Sequence, residues 1–227
     1  MIIVENTDVW GFEHAVRGMR NPMNSWNKSD SYICDENHCG GKCCREDMVD
    51  EKDCSQPNGY HVGKNDLDLM RRLYKAGTEH RKYLRQIMVS MDITAPLYWW
   101  KEFDTYKVGI VANSCSTMHK IHEKEFTLDD FSVEHLTEGN TQGFELILNC
   151  LNTARQNYLE TKDKLWLWQM IQTLPSSYNQ KRTVTMNYEN VVTILEQRCG
   201  HKLDEWNDFI EILKDLPYIR EIMEENN

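Results

Sequence analysis

The chain has 227 residues, 40% hydrophobic and 27% charged, an ordinary globular composition that excludes a disordered polypeptide. Its 36 acidic and 26 basic residues give a net charge of -10, which repels a phosphate backbone and excludes broad binding to nucleic acid, though not a single nucleotide in a locally positive pocket. No run approaches the roughly 20 apolar residues that span a bilayer, and the opening MIIVENTDVWGFEHAV is not a signal peptide, so a cytoplasmic protein with no membrane partner and mostly reduced cysteines is expected.

The first segment runs to Asn24, with Trp10, Phe12, Val16 and Met19 on an apolar face. From about residue 25 to 64 that pattern disappears into Asp, Asn, Gly, Cys and Lys, a long loop or small insertion. Five of the eight cysteines fall here. Cys34, His38, Cys39, Cys43, Cys44 and Cys54 supply enough soft ligands for a tetrahedral zinc site, although not in the paired CxxC spacing of a zinc knuckle; the alternative is a reduced loop.

Asn65 reads as the cap of a helix carrying Leu67, Met70, Leu73 and Tyr74, stopped by Gly77. Ile87, Val89, Met91 and Ile93 then alternate with Met88, Ser90, Asp92 and Thr94, the period of a strand with one buried face. Pro96 opens a helix, LYWWKEF, whose stripe of Tyr98, Trp99, Trp100 and Phe103 reads as core or subunit interface before it reads as a stacking platform. The small, polar tract DTYKVGIVANSCSTMHK lines a ligand or forms a plain polar turn.

A capping signal at Thr127 and Asp130 opens a mainly helical remainder. Helical spacing joins Phe144, Ile147, Leu148, Leu151, Ala154 and Tyr158, and also Leu165, Trp168, Met170 and Ile171 up to the stop at Pro175. Thr183 to Met186 is extended. Asn187 caps a helix bearing Tyr188, Val191, Val192 and Leu195, closed by Gly200, and a last helix with Trp206, Phe209, Ile210 and Leu213 fades at Pro217. The pattern is α+β, dominated by helices.

Two blocks carry a family resemblance. Residues 87–120, IMVSMDITAPLYWWKEFDTYKVGIVANSCSTMHK, and residues 174–198, LPSSYNQKRTVTMNYENVVTILEQR, resemble the flavin-dependent thymidylate synthases, the ThyX family. Ala95-Pro96, the aromatic helix after it, and the spacing from Pro175 to Asn187 to Arg198 follow that family's order. The resemblance implies a single ThyX-like domain over residues 1–227: a central antiparallel or mixed sheet with a predominantly helical surround, interrupted by the Cys-rich insertion.

It further implies a homotetramer that binds FAD and a pyrimidine nucleotide and converts dUMP to dTMP with NADPH and methylene-tetrahydrofolate. The flavin then carries the chemistry and no side-chain nucleophile is needed. His80, Asn113, Ser114, Ser116, Asn187 and Arg198 fall to the flavin side. Lys107, Cys115, His119, Arg182 and Arg198 fall to the substrate side. Asn187 also reads as a plain cap, Arg198 as a helix-end arginine, and Cys115 as a small buried thiol.

The family's signature RHRxxSxNxxSxRY is degraded. Thr105, Tyr106 and Lys107 replace Arg-His-Arg, Cys115 replaces a serine, Thr117 and Ile171 replace arginines, and Glu102 stands where a nucleotide-contacting glutamine is expected. An arginine fork holds phosphate through paired charged hydrogen bonds that threonine or isoleucine cannot form. Each is worth about 1.5–3 kcal/mol. Lys107, His119, Lys120, Lys181 and Arg182 lie in the two blocks and could form a different anion site if the fold brings them together. The alternative to the enzyme is a non-catalytic nucleotide- or flavin-binding protein on the same scaffold.

Overall fold

The computed structural model describes residues 1–33 and 59–224; the Cys34, His38, Cys39, Cys43, Cys44 and Cys54 cluster lies outside them. Strand β1 (Ile3–Trp10) leads into helix α1 (Phe12–Arg20), and short strands β2 (Tyr32–Ile33) and β3 (Tyr60–His61) precede α2 (Lys64–Lys75). Next come β4 (Met88–Pro96), α3 (Leu97–Phe103) and β5 (Val111–Ser114), then the long α4 (Glu138–Thr161) and α5 (Lys164–Thr173). The chain continues through β6 (Asn179–Asn187), α6 (Tyr188–Arg198), α7 (Asp204–Lys214) and α8 (Ile219–Met223).

The main sheet has the order β1-β4-β6-β5, antiparallel at every joint. Strand β4 is central, and its alternation decides which face is core. Val89, Met91, Ile93 and Ala95 are buried, joined by Val184 and Met186 of β6. Each of these valine, isoleucine and methionine side chains contributes about 1.5–3 kcal/mol on burial. On the opposite face Ser90 bonds Thr185 at 3.1 Å and Thr183 donates to Asp92 at 2.6 Å, so that face is polar. Helices α1, α3, α6 and α7 close the apolar side, where Trp99, Trp100, Phe103, Trp206 and Phe209 stack edge and face. A second, smaller core joins α4 and α5 to the loop before them through Phe126, Phe131, Phe144, Leu151 and Met170.

Several elements differ from the sequence reading. The first segment is a strand followed by a helix, because Asn6 adopts φ 52 in a bulge that hides the alternation of β1. Helix α2 begins at Lys64 with Gly63 at its cap; Asn65 lies inside, and the Asp30 carboxylate accepts from the Asn65 and Asp66 N–H groups instead. The polar tract after α3 contains β5, which pairs with β6 through Val111↔Thr185 and Ser114↔Arg182. The Thr127–Asp130 capping box is formed but heads one 3-10 turn only. In α5 only Met170 of the predicted face is fully buried, while Leu165 and Trp168 are exposed.

Asp66 fixes the chain on the near side of the insertion. It is fully buried, yet it accepts from Arg20 Nε at 2.5 Å, Ser29 Oγ at 2.7 Å, Ser31 Oγ at 2.6 Å, and the Asp30 and Ser31 N–H groups at 3.1 Å. Burial alone raises its pKa, but the hydrogen bonds from Ser31, Ser29 and Arg20 outweigh that and hold it below the usual aspartate range. Residues 25–33 are therefore tied to α1 and α2. Among the described residues, no helix is long and apolar enough to cross a membrane.

Candidate functional site

The aromatic helix α3 and the Asn187-headed helix α6 meet at the C-terminal end of each. Glu102, in the last turn of α3, accepts through Oε2 from Arg198 Nη1 at 2.8 Å and from Trp206 Nε1 at 3.0 Å. His201 Nε2 stands 3.3 Å from the same oxygen. The Leu203 N–H donates to His201 Nδ1 at 3.2 Å, and His201 Nε2 also lies 3.4 Å from Arg198 Nη1. Arg198 also donates through Nε to the Tyr106 hydroxyl at 2.9 Å, and its guanidinium lies 4.6 Å from the Trp206 ring centroid. Gly200, at φ +70, turns the chain back between Arg198 and His201.

At the other end of α6, Asn187 accepts from the Asn190 N–H at 3.1 Å and Asn190 returns the bond at 3.2 Å. Asn190 Nδ2 then donates to the Val108 carbonyl at 2.7 Å. The loop between Tyr106 and Ile110 thus runs along α6 from one end to the other. Gly109 has φ +81, and a Cβ there would stand 2.9 Å from Asn187 Nδ2, so this close approach requires glycine. Lys107 is exposed on that loop.

The rest of the polar tract is fixed to β6. The Cys115 N–H donates to the Lys181 carbonyl at 2.9 Å, and buried Gln180 donates through Nε2 to the Cys115 carbonyl at 2.7 Å. Gln180 Oε1 accepts from Arg182 Nε at 3.0 Å; Arg182 Nη1 reaches Asp104 at 2.8 Å, and its guanidinium lies 4.1 Å from the Trp100 ring. Lys181 is paired to Glu5 at 2.9 Å. Ser116 Oγ accepts from the His119 N–H at 2.9 Å, closing a turn beside a pocket of about 240 Å³ lined by Cys115, Ser116, Lys120, Phe126 and Tyr178. Burial, aided by the Asp130 and Cys115 charges, pushes the Tyr178 phenol up. Cys115 is exposed, which corrects its reading as a buried thiol.

Asn113, Ser114, Cys115, Ser116, His119 and Arg182 are therefore neighbours along the β5–β6 edge. Asn187, Lys107 and Arg198 are joined through the loop beside α6. His80 is apart from both. It lies in the turn after α2 and lines a cleft of about 570 Å³ with Met19, Met23, Leu73 and Tyr83, whose lining includes none of the other predicted contacts.

Tyr106, His201, Trp206, Gln180 and Asp104 carry the contacts and were not singled out as contacts from the sequence. His201 and Trp206 reach Glu102 across about a hundred residues of sequence, and no local pattern announces that meeting. Arg198 and Arg182 each face a carboxylate, and the flavin-side candidates occupy separate places on the protomer.

The sequence matches no family model and no curated protein. The fold does match solved structures. Thymidylate synthase X (ThyX) from Helicobacter pylori, solved with FAD and dUMP, superposes at TM-score 0.64 with 16% identity over 97% of this chain and 96% of that one. A second structure, the flavin-dependent thymidylate synthase ThyX from Helicobacter pylori complexed with FAD and dUMP, gives TM-score 0.62 at 16% identity over 97% and 95%. This chain is an α+β protein with a ThyX-like fold.

Proposed function

We propose that this chain is a flavin- or pyrimidine-nucleotide-binding protein on a ThyX-like scaffold that does not methylate dUMP. One observation carries this reading: the two arginines that the resemblance assigns to substrate are neutralised from within, Arg198 by Glu102 and Arg182 by Asp104. A phosphate held where the resemblance implies would have to displace a carboxylate at each, and the losses at Thr105, Thr117 and Ile171 leave no arginine fork there, so a bound nucleotide is held mainly through its ring and ribose, out of the reactive pose. The polar β5–β6 edge, with Asn113, Ser114 and Ser116 near His119, supports ring and ribose recognition by neutral donors. Oligomerisation is part of the proposal, a tetramer by resemblance; exposed Leu146, Leu165 and Trp168 on α4 and α5 support a protein–protein face, and light scattering reads the mass.

The second reading is the enzyme itself: reductive methylation of dUMP to dTMP using FAD, NADPH and methylene-tetrahydrofolate. The likeness of fold along nearly the whole length of both chains favours it. One experiment separates the two. Purified protein is mixed with FAD and desalted, and then assayed for release of the C5 proton of dUMP with both co-substrates present. Retained flavin, or a melting shift with dUMP, without proton release supports the binder. Turnover, or rescue of a thymidine-requiring strain, overturns it, as does failure to bind either ligand.

A further inference from the structure

The cleft of about 570 Å³ beside His80 is lined by polar side chains that the fold leaves uncommitted. Two turns meet at it: the 3-10 turn Asn21–Met23 after α1, and the turn after α2 that carries Glu79, His80 and Lys82. The second turn is fixed by the His80 and Arg81 N–H groups, which both donate to the Gly77 carbonyl, at 2.9 Å and 3.1 Å. The floor is apolar: Met19 and Tyr83 are buried, Leu73 is half-buried and Met23 is exposed. The Tyr83 hydroxyl donates to the Met70 carbonyl at 2.9 Å, so this residue offers the cleft its ring and not a free phenol. A Cβ at Gly18 would clash with Gln86 Oε1, so glycine is what lets that amide lie against α1 at the rim. Glu79, His80, Lys82 and Gln86 are all exposed, and none of these four side chains makes a hydrogen bond or ion pair among the described residues. By contrast, Lys120, Lys124, Lys181, Arg182 and Arg198 are each paired with a carboxylate.

An apolar recess of this volume with a few polar groups at its edge is the usual form of a small-molecule site. The charges at the edge then select the ligand. A plain carboxylate or phosphate ester meets Glu79, and a plain amine meets Lys82, so each is repelled by one group while it pairs with the other. A ligand that carries both charges pairs with both. We propose that the His80 cleft binds a zwitterion with an apolar side group, of the class of the aromatic and aliphatic α-amino acids. Lys82 and His80 donate to its carboxylate, Glu79 accepts from its ammonium, and the Met19, Met23, Leu73 and Tyr83 floor takes its side chain. Methionine suits that floor, because a flexible thioether adapts its shape and packs well against a ring. The site is separate from the β5–β6 edge, none of whose residues line it, and it stands independently of the nucleotide reading. His80 then serves this ligand and not a flavin.

Calorimetric titration of the full chain tests the assignment with L-phenylalanine, L-leucine, N-acetyl-L-phenylalanine, which lacks the ammonium, and L-phenylalaninamide, which lacks the carboxylate. L-Phenylalanine binds at least about fivefold more tightly than either blocked form, the loss expected for one solvated ion pair. Two variants then separate the charges. Glu79→Gln brings L-phenylalanine down to the affinity of the N-acetyl form without weakening that form. Lys82→Met brings it down to the affinity of the amide without weakening the amide. Both side chains are exposed and unpaired among the described residues, so the fold tolerates either change. Saturating dUMP or FAD leaves the L-phenylalanine titration unchanged. Equal affinity for the free and blocked forms, variants that weaken every ligand alike, or no binding of either L-phenylalanine or L-leucine overturns the assignment. Displacement of L-phenylalanine by FAD also overturns it, because the cleft then belongs to the flavin. Flavin retention and proton release from dUMP are read in separate assays, so failure here and failure of the nucleotide reading remain distinguishable.

Discussion

Replacing Asp66 by alanine tests the least exposed charged contact described in this protein. Asp66 has 0% exposure and Arg20 only 4%, so the pair is inside the protein, not on its surface. Without the carboxylate, the Arg20 guanidinium retains, among the described residues, the Ser25 carbonyl at 3.3 Å and the Ser25 hydroxyl at 3.4 Å. Breaking such a pair by removing one partner costs about 3–5 kcal/mol, most of it the penalty of an unpaired buried charge. In a chain of this length each kcal/mol moves the melting temperature by about 2–4 °C, so a fall of roughly 6–20 °C is expected.

Urea and thermal denaturation followed by circular dichroism measure the change. The control is Asp66→Leu combined with Arg20→Met, which leaves no stranded charge and recovers part of the loss. A fall of less than about 1 °C in Asp66→Ala, or strict additivity in the double variant, refutes the reasoning. The pH dependence has a definite sign. The folded-state pKa of Asp66 is depressed, so its contribution is present above the unfolded value of about 3.9 and is lost as pH falls through the folded value.

Three further changes follow from single contacts. Gln180→Leu removes the bonds to the Cys115 carbonyl and from Arg182, which costs about 1–3 kcal/mol and speeds amide exchange over residues 115–119; unchanged exchange there contradicts the link. Asn187→Ala removes the α6 cap and lowers stability by about 1 kcal/mol in urea, whereas Asn187→Asp retains most of it. The Tyr74 phenol is pushed up to about 12, first by burial and then by its hydrogen bond to Glu196, so the stability it favours is complete below about pH 10 and lost as pH rises toward its folded value. Ultraviolet titration checks this, and Glu196→Gln brings the phenol back toward its ordinary range.

The fold was legible in the sequence wherever one period ran unbroken. The alternation from Ile87 to Ile93 marked β4 because a central strand has one face wholly inside, and Ile87, Val89 and Ile93 are fully buried. Asn187 and Gly77 marked an end of each of their helices because capping chemistry is local. β5 was hidden because Val-Ala-Asn-Ser is an exposed edge with no buried face to advertise it. Helix α2 began early because its N–H groups are met by Asp30, a residue 35 positions before Asn65. The site was less legible than the fold for the same reason: resemblance placed Arg198 beside a ligand, but only geometry reveals that Glu102, His201 and Trp206 reach it first.

Both carboxylates that neutralise the arginines stand at the end of α3: Glu102 in its last turn and Asp104 just beyond. A helix dipole disfavours negative charge there by about 0.3–1 kcal/mol, and Arg198 and Arg182 offset that cost. Arg198 thus has a structural task, which gives its removal a diagnostic sign. The pair is partly solvated, with Arg198 at 19% and Glu102 at 33% side-chain exposure, so its ionic part is worth about 1 kcal/mol and the ring contacts add roughly 0.5–1. Arg198→Met should therefore lower stability by about 1–2 kcal/mol even without ligand. An arginine kept to grip a phosphate behaves oppositely, since a free site holds unspent positive charge and its removal leaves the unliganded fold unchanged or firmer. If unliganded Arg198→Met melts at or above the unaltered chain, Glu102 does not satisfy Arg198 in solution, and the case against nucleotide anchoring at this position is lost.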